Sequence, residues 1–287
     1  MSDCPAHRAS GGAWQRTPVR AGLCSVTLRS LPPSEVIEVA AEAGLEAIEW
    51  GGDVHVPPGD VAAAEKVARV TADAGLVVPS YGSYLRAGSV DVASACRENL
   101  DVAQALGATN IRVWTDWATV DGTPTERRKA IAADLATIAD AAAARAMTVS
   151  MEFHAFTLTE TAASTLRLLD EAGMPPNLFT YWQPMDGRPV SESLDELSTV
   201  LANLSHLHVF WWRSFDERLP LDDGAQLWRA AFDLIVEQDC AGGSEAASPR
   251  WPGPRYAFLE FVRGDAPDQL RADSATLRGL LSDARSP

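Results

Sequence analysis

Two glutamates stand where a carboxylate is costly. Glu152 lies in Ser-Met-Glu-Phe-His (150–154) and Glu260 in Phe-Leu-Glu-Phe (258–261), each among apolar, strand-forming neighbours. A buried carboxylate needs a metal, an arginine or a hydrogen-bond network to compensate it. His208, in His-Leu-His-Val (206–209), falls between them in chain order. Together the three offer oxygen and nitrogen donors suited to Mg2+, Mn2+, Co2+ or Zn2+. Singly, Glu152 reads equally well as half of a salt bridge, and His208 as a hydrogen-bonded core histidine. Jointly, at the ends of neighbouring strands, they read as a site.

Other polar and aromatic residues end the same kind of apolar run. Glu49, Trp50, Asp53 and His55 follow one, Trp114 closes another, and His154 follows Glu152. Trp182, Gln183 and Asp186 close a further run, and Trp211, Trp212 and Arg213 follow His208. Aromatic rings with a few convergent polar groups are what line a small-molecule pocket. Glu49, His55, His154, Trp114, Trp182, Asp186 and Arg213 are therefore the candidate substrate contacts. About half of the aromatic set, which also includes Tyr81, Tyr84 and Trp117, is expected to line the pocket. Trp211 and Trp212 cannot both do so, because successive strand residues point to opposite faces. Arg29, Arg213 and Arg263 could clamp a hydroxyl, carboxylate or phosphate, or neutralise a nearby acid.

The elements that must position these residues alternate regularly. Strands are predicted at Gly22–Leu28, Ala47–Trp50, Val77–Tyr81, Asn110–Trp114, Thr148–Phe153, Leu178–Gln183, His206–Trp211 and Tyr256–Val262. Alanine-rich amphipathic stretches between them predict helices. Glycines in Ala-Gly-Leu (43–45 and 74–76), Leu-Gly-Ala (106–108) and Glu-Ala-Gly (171–173) fall just past helix ends, as a left-handed cap requires. Eight such units predict a closed (β/α)8 barrel, whose strand ends converge on one pocket. No Gly-x-Gly-x-x-Gly follows the first strand, which disfavours a doubly wound sheet. Residues 1–20 read as a tail and 21–287 as one barrel domain. A Gly/Ser/Pro-rich insertion near 240–254 precedes a strand, so it should hang off the amino-terminal face, away from the chemistry.

Composition narrows the function. At 287 residues and 46% hydrophobic, the chain can build one large barrel. Its net charge of −15 repels nucleic acid. Its apolar runs are too short to span a membrane. Lysine occurs only at 66 and 129, inside predicted helices, which argues against Schiff-base and pyridoxal phosphate chemistry. Cys4, Cys24, Cys96 and Cys240 form no C-x-x-C pair, a usage that fits a reducing cytoplasm.

From about Gly22 to the last helix, the chain resembles the xylose-isomerase-like barrel superfamily of sugar isomerases and epimerases. The motifs are Gly-Leu-Glu-Ala-Ile-Glu-Trp (44–50), Ser-Met-Glu-Phe-His, His-Leu-His-Val and Phe-Leu-Glu-Phe. The resemblance implies a divalent metal held by Glu152, Gln183, His208 and Glu260, with Glu152 and Glu260 also serving as acid and base. Gln183 departs from the pattern, which has an aspartate there. A neutral amide leaves two carboxylates to balance the ion instead of three. Weaker metal binding is expected, and a metal-free variant stays open. The implied reaction moves a proton next to a carbonyl of a ketose or related polyol. An inosose-type dehydratase on the same site, a lyase, and a non-catalytic sugar-binding barrel are the alternatives. An abasic-site endonuclease of this fold would need more histidines than the five present. Barrels of this kind often pair, so a homodimer is compatible with the sequence.

Overall fold

The computed structural model describes residues 19–241 and 251–284. Eight parallel strands close into a barrel: β1 (Arg20–Cys24), β2 (Ala47–Gly51), β3 (Ser80–Ala87), β4 (Asn110–Thr115), β5 (Thr148–Met151), β6 (Leu178–Trp182), β7 (Leu204–Val209) and β10 (Tyr256–Leu259). Helices α1 (Pro33–Glu42), α2 (Val61–Asp73), α3 (Val92–Ala105), α4 (Thr125–Ala143), α5 (Ala162–Glu171), α6 (Val190–Val200), α7 (Ala225–Ala241) and α8 (Pro267–Ala284) surround it. A short antiparallel hairpin, β8 (Trp212–Ser214) and β9 (Glu217–Arg218), follows β7. The closed (β/α)8 barrel expected from the alternation is the fold observed. Among the described residues, no helix is long and apolar enough to cross a membrane.

The caps form as their residue types dictate. Gly44, Gly75, Gly107 and Gly173 all adopt positive φ just past α1, α2, α3 and α5. Thr161 accepts a hydrogen bond from the Ser164 amide at the start of α5, and Asp60 does the same for Ala63 at the start of α2.

The carboxyl end of every strand shifts somewhat from the sequence expectation: the fifth stops at Met151 and the last at Leu259, short of Phe153 and Val262, and three further shifts have a local cause. The first stops at Cys24 and turns into a 3-10 helix over Ser25–Leu28, which keeps those residues buried without extending the sheet. The third begins at Ser80 instead of Val77, because Pro79 has no N–H to give the ladder. The seventh does not run on through Trp211: Trp212 starts the hairpin, which swings out of the barrel wall.

The floor of the barrel is aromatic. Tyr181, His206, Tyr256 and Phe258 meet there, and Trp251 closes on Phe179 and His206 from the amino-terminal side. Gly22 makes room for this layer, since a Cβ on it would lie 2.6 Å from the Phe258 ring. The tail expected over 1–20 lies outside the described residues up to 18. The expected insertion does so over 242–250; α7 runs to Ala241, and Trp251–Pro254 lie at the amino-terminal face.

Candidate active site

β5, β6, β7 and β10 bring four side chains together at their carboxyl ends. Nδ1 of His208 lies 3.0 Å from Gln183 Oε1, 3.3 Å from Glu260 Oε2 and 3.5 Å from Glu152 Oε1. All four residues are buried. Metal ligands about 2.1 Å from one ion stand roughly 3.0–3.5 Å from one another, so this spacing suits a shared divalent cation. The donor chemistry also fits, with two carboxylates, one amide oxygen and one imidazole. Cys24 lies near His208 and Glu260 as well, but burial pushes its thiol up to about 12. It stays protonated and donates to Glu49 Oε1 at 3.5 Å.

The other ring nitrogen of His208 is held from behind. Nε2 lies 3.1 Å from Glu49 Oε1, and the Tyr181 hydroxyl donates to Glu49 Oε2 at 2.5 Å. Burial pushes the Glu49 carboxyl up, but Arg112, His208 and Tyr181 outweigh it and hold the group ionised. An imidazole gripped at Nε2 by a carboxylate presents Nδ1 in a fixed direction.

Arg112, on β4, is the compensating charge. Its Nη1 lies 2.6 Å from Glu152 Oε2 and its Nε 3.6 Å from Glu49 Oε1, with the side chain only 2% exposed. Gly82 on β3 leaves room for it: a Cβ there would lie 3.1 Å from both Arg112 Nη2 and Glu49 Oε1. The two glutamates therefore differ. Burial raises the Glu152 carboxyl, yet Arg112 and His208 outweigh that and hold it below the ordinary range. Glu260 is raised, by burial first and by the charge of Glu152, with His208 only partly offsetting.

The remaining candidates divide between the mouth and elsewhere. Trp114 stacks on Tyr84 with ring centroids 5.8 Å apart and lies 4.2 Å from the His154 ring, and Trp117 packs edge-on against both. Asp186 stands on the rim with its carboxyl raised by burial. Four expected substrate contacts are placed differently. Glu49 is fully buried and committed to His208 and Tyr181. His55 has both ring nitrogens engaged, with Ser25 Oγ at 2.9 Å and the Leu31 carbonyl at 3.1 Å. Trp182 points outward against Trp228 of α7. Arg213 lies on the exposed hairpin, paired with Glu217. Arg29 likewise pairs with Asp53, and Trp211 packs toward Gly224 while Trp212 stacks on Phe210.

Sequence reasoning passed over Arg112 and Tyr181. Arg112 carries the same signal as Glu152: a charge inside Asn-Ile-Arg-Val-Trp (110–114) has to find a partner. Tyr181 gave no comparable signal, since a tyrosine in a strand is ordinary.

Known proteins place this architecture. The family model described as xylose isomerase-like TIM barrel matches residues 37–253. No curated protein matches the sequence. Among solved structures, the chain is similar to the probable 3-DHS dehydratase AsbF of Bacillus anthracis. Identity there is 21%, over 91% of this chain and 99% of that one, with a TM-score of 0.69. It is also similar to an L-ribulose 3-epimerase, at 17% identity over 93% and 96%, with a TM-score of 0.68. A third is a xylose isomerase-like TIM barrel protein from Mycobacterium smegmatis in complex with magnesium, at 18% identity over 94% and 98%, TM-score 0.62. The chain belongs to the xylose isomerase-like TIM barrel family.

Proposed function

We propose that this chain is a metal-assisted isomerase or epimerase that moves a proton next to a carbonyl of a ketose or related polyol. The observation that carries this reading is His208 Nδ1 facing oxygens of Gln183, Glu260 and Glu152 at 3.0–3.5 Å. Glu152, Gln183, His208 and Glu260 would hold the divalent ion. When bound, it supplies Lewis-acid polarisation of a carbonyl, which acidifies the adjacent C–H.

The two glutamates take different parts. Pairs of acids whose surroundings push their pKa values apart divide the acid and base roles. Arg112 keeps Glu152 ionised and fixed in direction. Glu260, without such a partner and raised by burial, is the better base toward a carbon acid. It takes the C–H proton. Returning that proton to the neighbouring carbon, while the hydroxyl proton passes to the former carbonyl oxygen, completes an isomerisation; an epimerisation would need Glu152 first to take up a proton from solvent or a substrate hydroxyl and give it to the opposite face. Trp114 and His154 shelter the sugar at the mouth.

The protein loaded with Mn2+ in D2O provides the test, with ketoses and keto-inositols as substrates. Wild type should exchange the proton next to the carbonyl for deuterium, and Glu260→Gln should fold normally but lose exchange, because an amide accepts no proton. Exchange near the wild-type rate in Glu260→Gln would remove Glu260 as the base. Products that have lost water would identify the dehydratase reading. Ligand binding without exchange at any added metal would favour a non-catalytic barrel.

A further inference from the structure

Arg86 stands at the mouth with no carboxylate in ion-pair contact, although the charges of Asp116 and Glu152 reach it. It lies near the end of β3, and its guanidinium carbon sits 4.4 Å from the ring centroids of both Trp114 and Trp117. Its hydrogen bond to the Thr115 carbonyl is a long one, 3.5 Å. Among the described residues, no carboxylate lies within ion-pair distance of it. The two acids whose charge reaches it are already paired: Asp116 with Arg127, and Glu152 with Arg112.

The arrangement is graded from the mouth inward. Arg86 lies over Trp114, Trp114 stacks on Tyr84, and Arg112 lies 5.8 Å from the Tyr84 ring. Nη2 and Nε of Arg112 have no hydrogen-bond partner although the residue is buried. A guanidinium packed in the corner of two nearly perpendicular indoles loses little freedom on binding and keeps donor edges for an incoming group. Its planar fork matches a carboxylate in two parallel hydrogen bonds. On a chain of net charge −15, an arginine with no carboxylate in ion-pair contact at the pocket entrance favours an anion locally against the general repulsion.

We propose that the substrate is a carboxylate-bearing polyol, and that Arg86, clamped by Trp114 and Trp117, is the residue that recognises its carboxylate. The proposal rests on the proton-moving reading of the Glu152–Glu260 site and adds the substrate class. A neutral keto-sugar leaves Arg86 without its complement. A phosphate fits the same fork, so the experiment sets the two anions against each other.

The experiment compares quinate, its methyl ester and fructose 6-phosphate on the full chain with Mn2+. Binding is followed by calorimetry and by quenching of tryptophan fluorescence. Quinate should bind wild type at least about tenfold tighter than the ester, and added salt should narrow the gap. In Arg86→Met the gap should collapse toward unity with ester affinity retained; Arg86→Lys, which keeps the charge but loses the fork, should fall between. Equal binding of acid and ester, no binding of either, or a gap that survives in Arg86→Met would overturn the proposal. Tighter binding of the phosphate would overturn the carboxylate in favour of a phosphorylated substrate. Deuterium exchange on neutral ketoses is a separate readout, so the site's chemistry can stand while the substrate class falls, and the reverse.

Discussion

Glu49 Oε1 and His208 Nε2 meet at 3.1 Å, on the side of the imidazole away from the oxygens of Glu152, Gln183 and Glu260. Buried behind the ring, Glu49 is placed to act through His208. Glu49→Gln keeps the shape but removes the charge that makes the ring a strong donor. Such changes behind a ligating histidine weaken metal binding by roughly 10–100-fold. Calorimetric titration of Mn2+ should show that loss while circular dichroism stays unchanged. Unaltered affinity would reduce Glu49 to packing.

How much of this was legible in the sequence depends on the residue. Strand alternation and glycine caps were enough for the barrel, because a period of two and a left-handed cap are local properties. The convergence of Glu152, His208 and Glu260 followed from the barrel's geometry, and Gln183 joined them through the family resemblance. The same alternation argues against Trp182: if Gln183 faces the pocket, its neighbour must face the helices, as it does against Trp228. The pairing of Glu49 with His208 spans 159 positions in sequence and links two strands from opposite halves of the chain. Nothing local distinguishes it from a substrate contact. The hairpin carrying Arg213 was hidden because Phe210, Trp211 and Trp212 continue the apolar run of β7 without a break.

Gln183 is the weakest of the four donors, because its amide brings no charge. Gln183→Asp supplies a third carboxylate within reach of His208 Nδ1. If the four residues hold a divalent ion, Mn2+ should bind the variant tighter by about one order of magnitude or more, each tenfold being ~1.4 kcal/mol. If they hold none, the added charge beside Glu152 and Glu260 is repelled and one carboxyl protonates. The variant would then be less stable than wild type and bind no Mn2+. Titration and thermal melting of both proteins separate the two outcomes, which differ in sign.

His208 gives metal binding a pH dependence of known direction. Burial lowers its pKa, but Glu260, Cys24, Glu152 and Glu49 outweigh burial and raise it well above the ordinary value of 6.5. Without an ion the ring is an imidazolium at neutral pH. Its contribution to stability is complete below 6.5 and is lost as pH rises through the raised value. An ion at Nδ1 must displace that proton, so about one proton should be released per ion bound near neutral pH. Apparent affinity should then climb about tenfold per pH unit. Mn2+ titrations in two buffers of different ionisation enthalpy count the protons, and a count of zero would place the ion elsewhere.

His206 titrates in the opposite direction, at the floor of the barrel. Burial, with Arg255 and His208 assisting and Glu49 opposing, lowers its pKa from 6.5 to about 3. The Tyr256 amide donates to Nδ1 at 3.1 Å, so the neutral ring carries its proton on Nε2. The unfolded chain takes up a proton at this position near 6.5, whereas the folded one does so only near 3. Between those values the unfolded state binds more protons, and acidification costs stability at about 1.4 kcal/mol per pH unit. His206→Asn offers an acceptor to the Tyr256 amide but does not titrate. The variant will be less stable than wild type at pH 7, because it loses ring contacts with Tyr181, Trp251 and Phe258. That deficit should shrink by about 2 kcal/mol at pH 5, since only wild type bears the protonation penalty. Urea denaturation of both proteins at the two pH values measures the change. A deficit that is constant, or that grows on acidification, would mean that His206 is not held neutral by the aromatic floor.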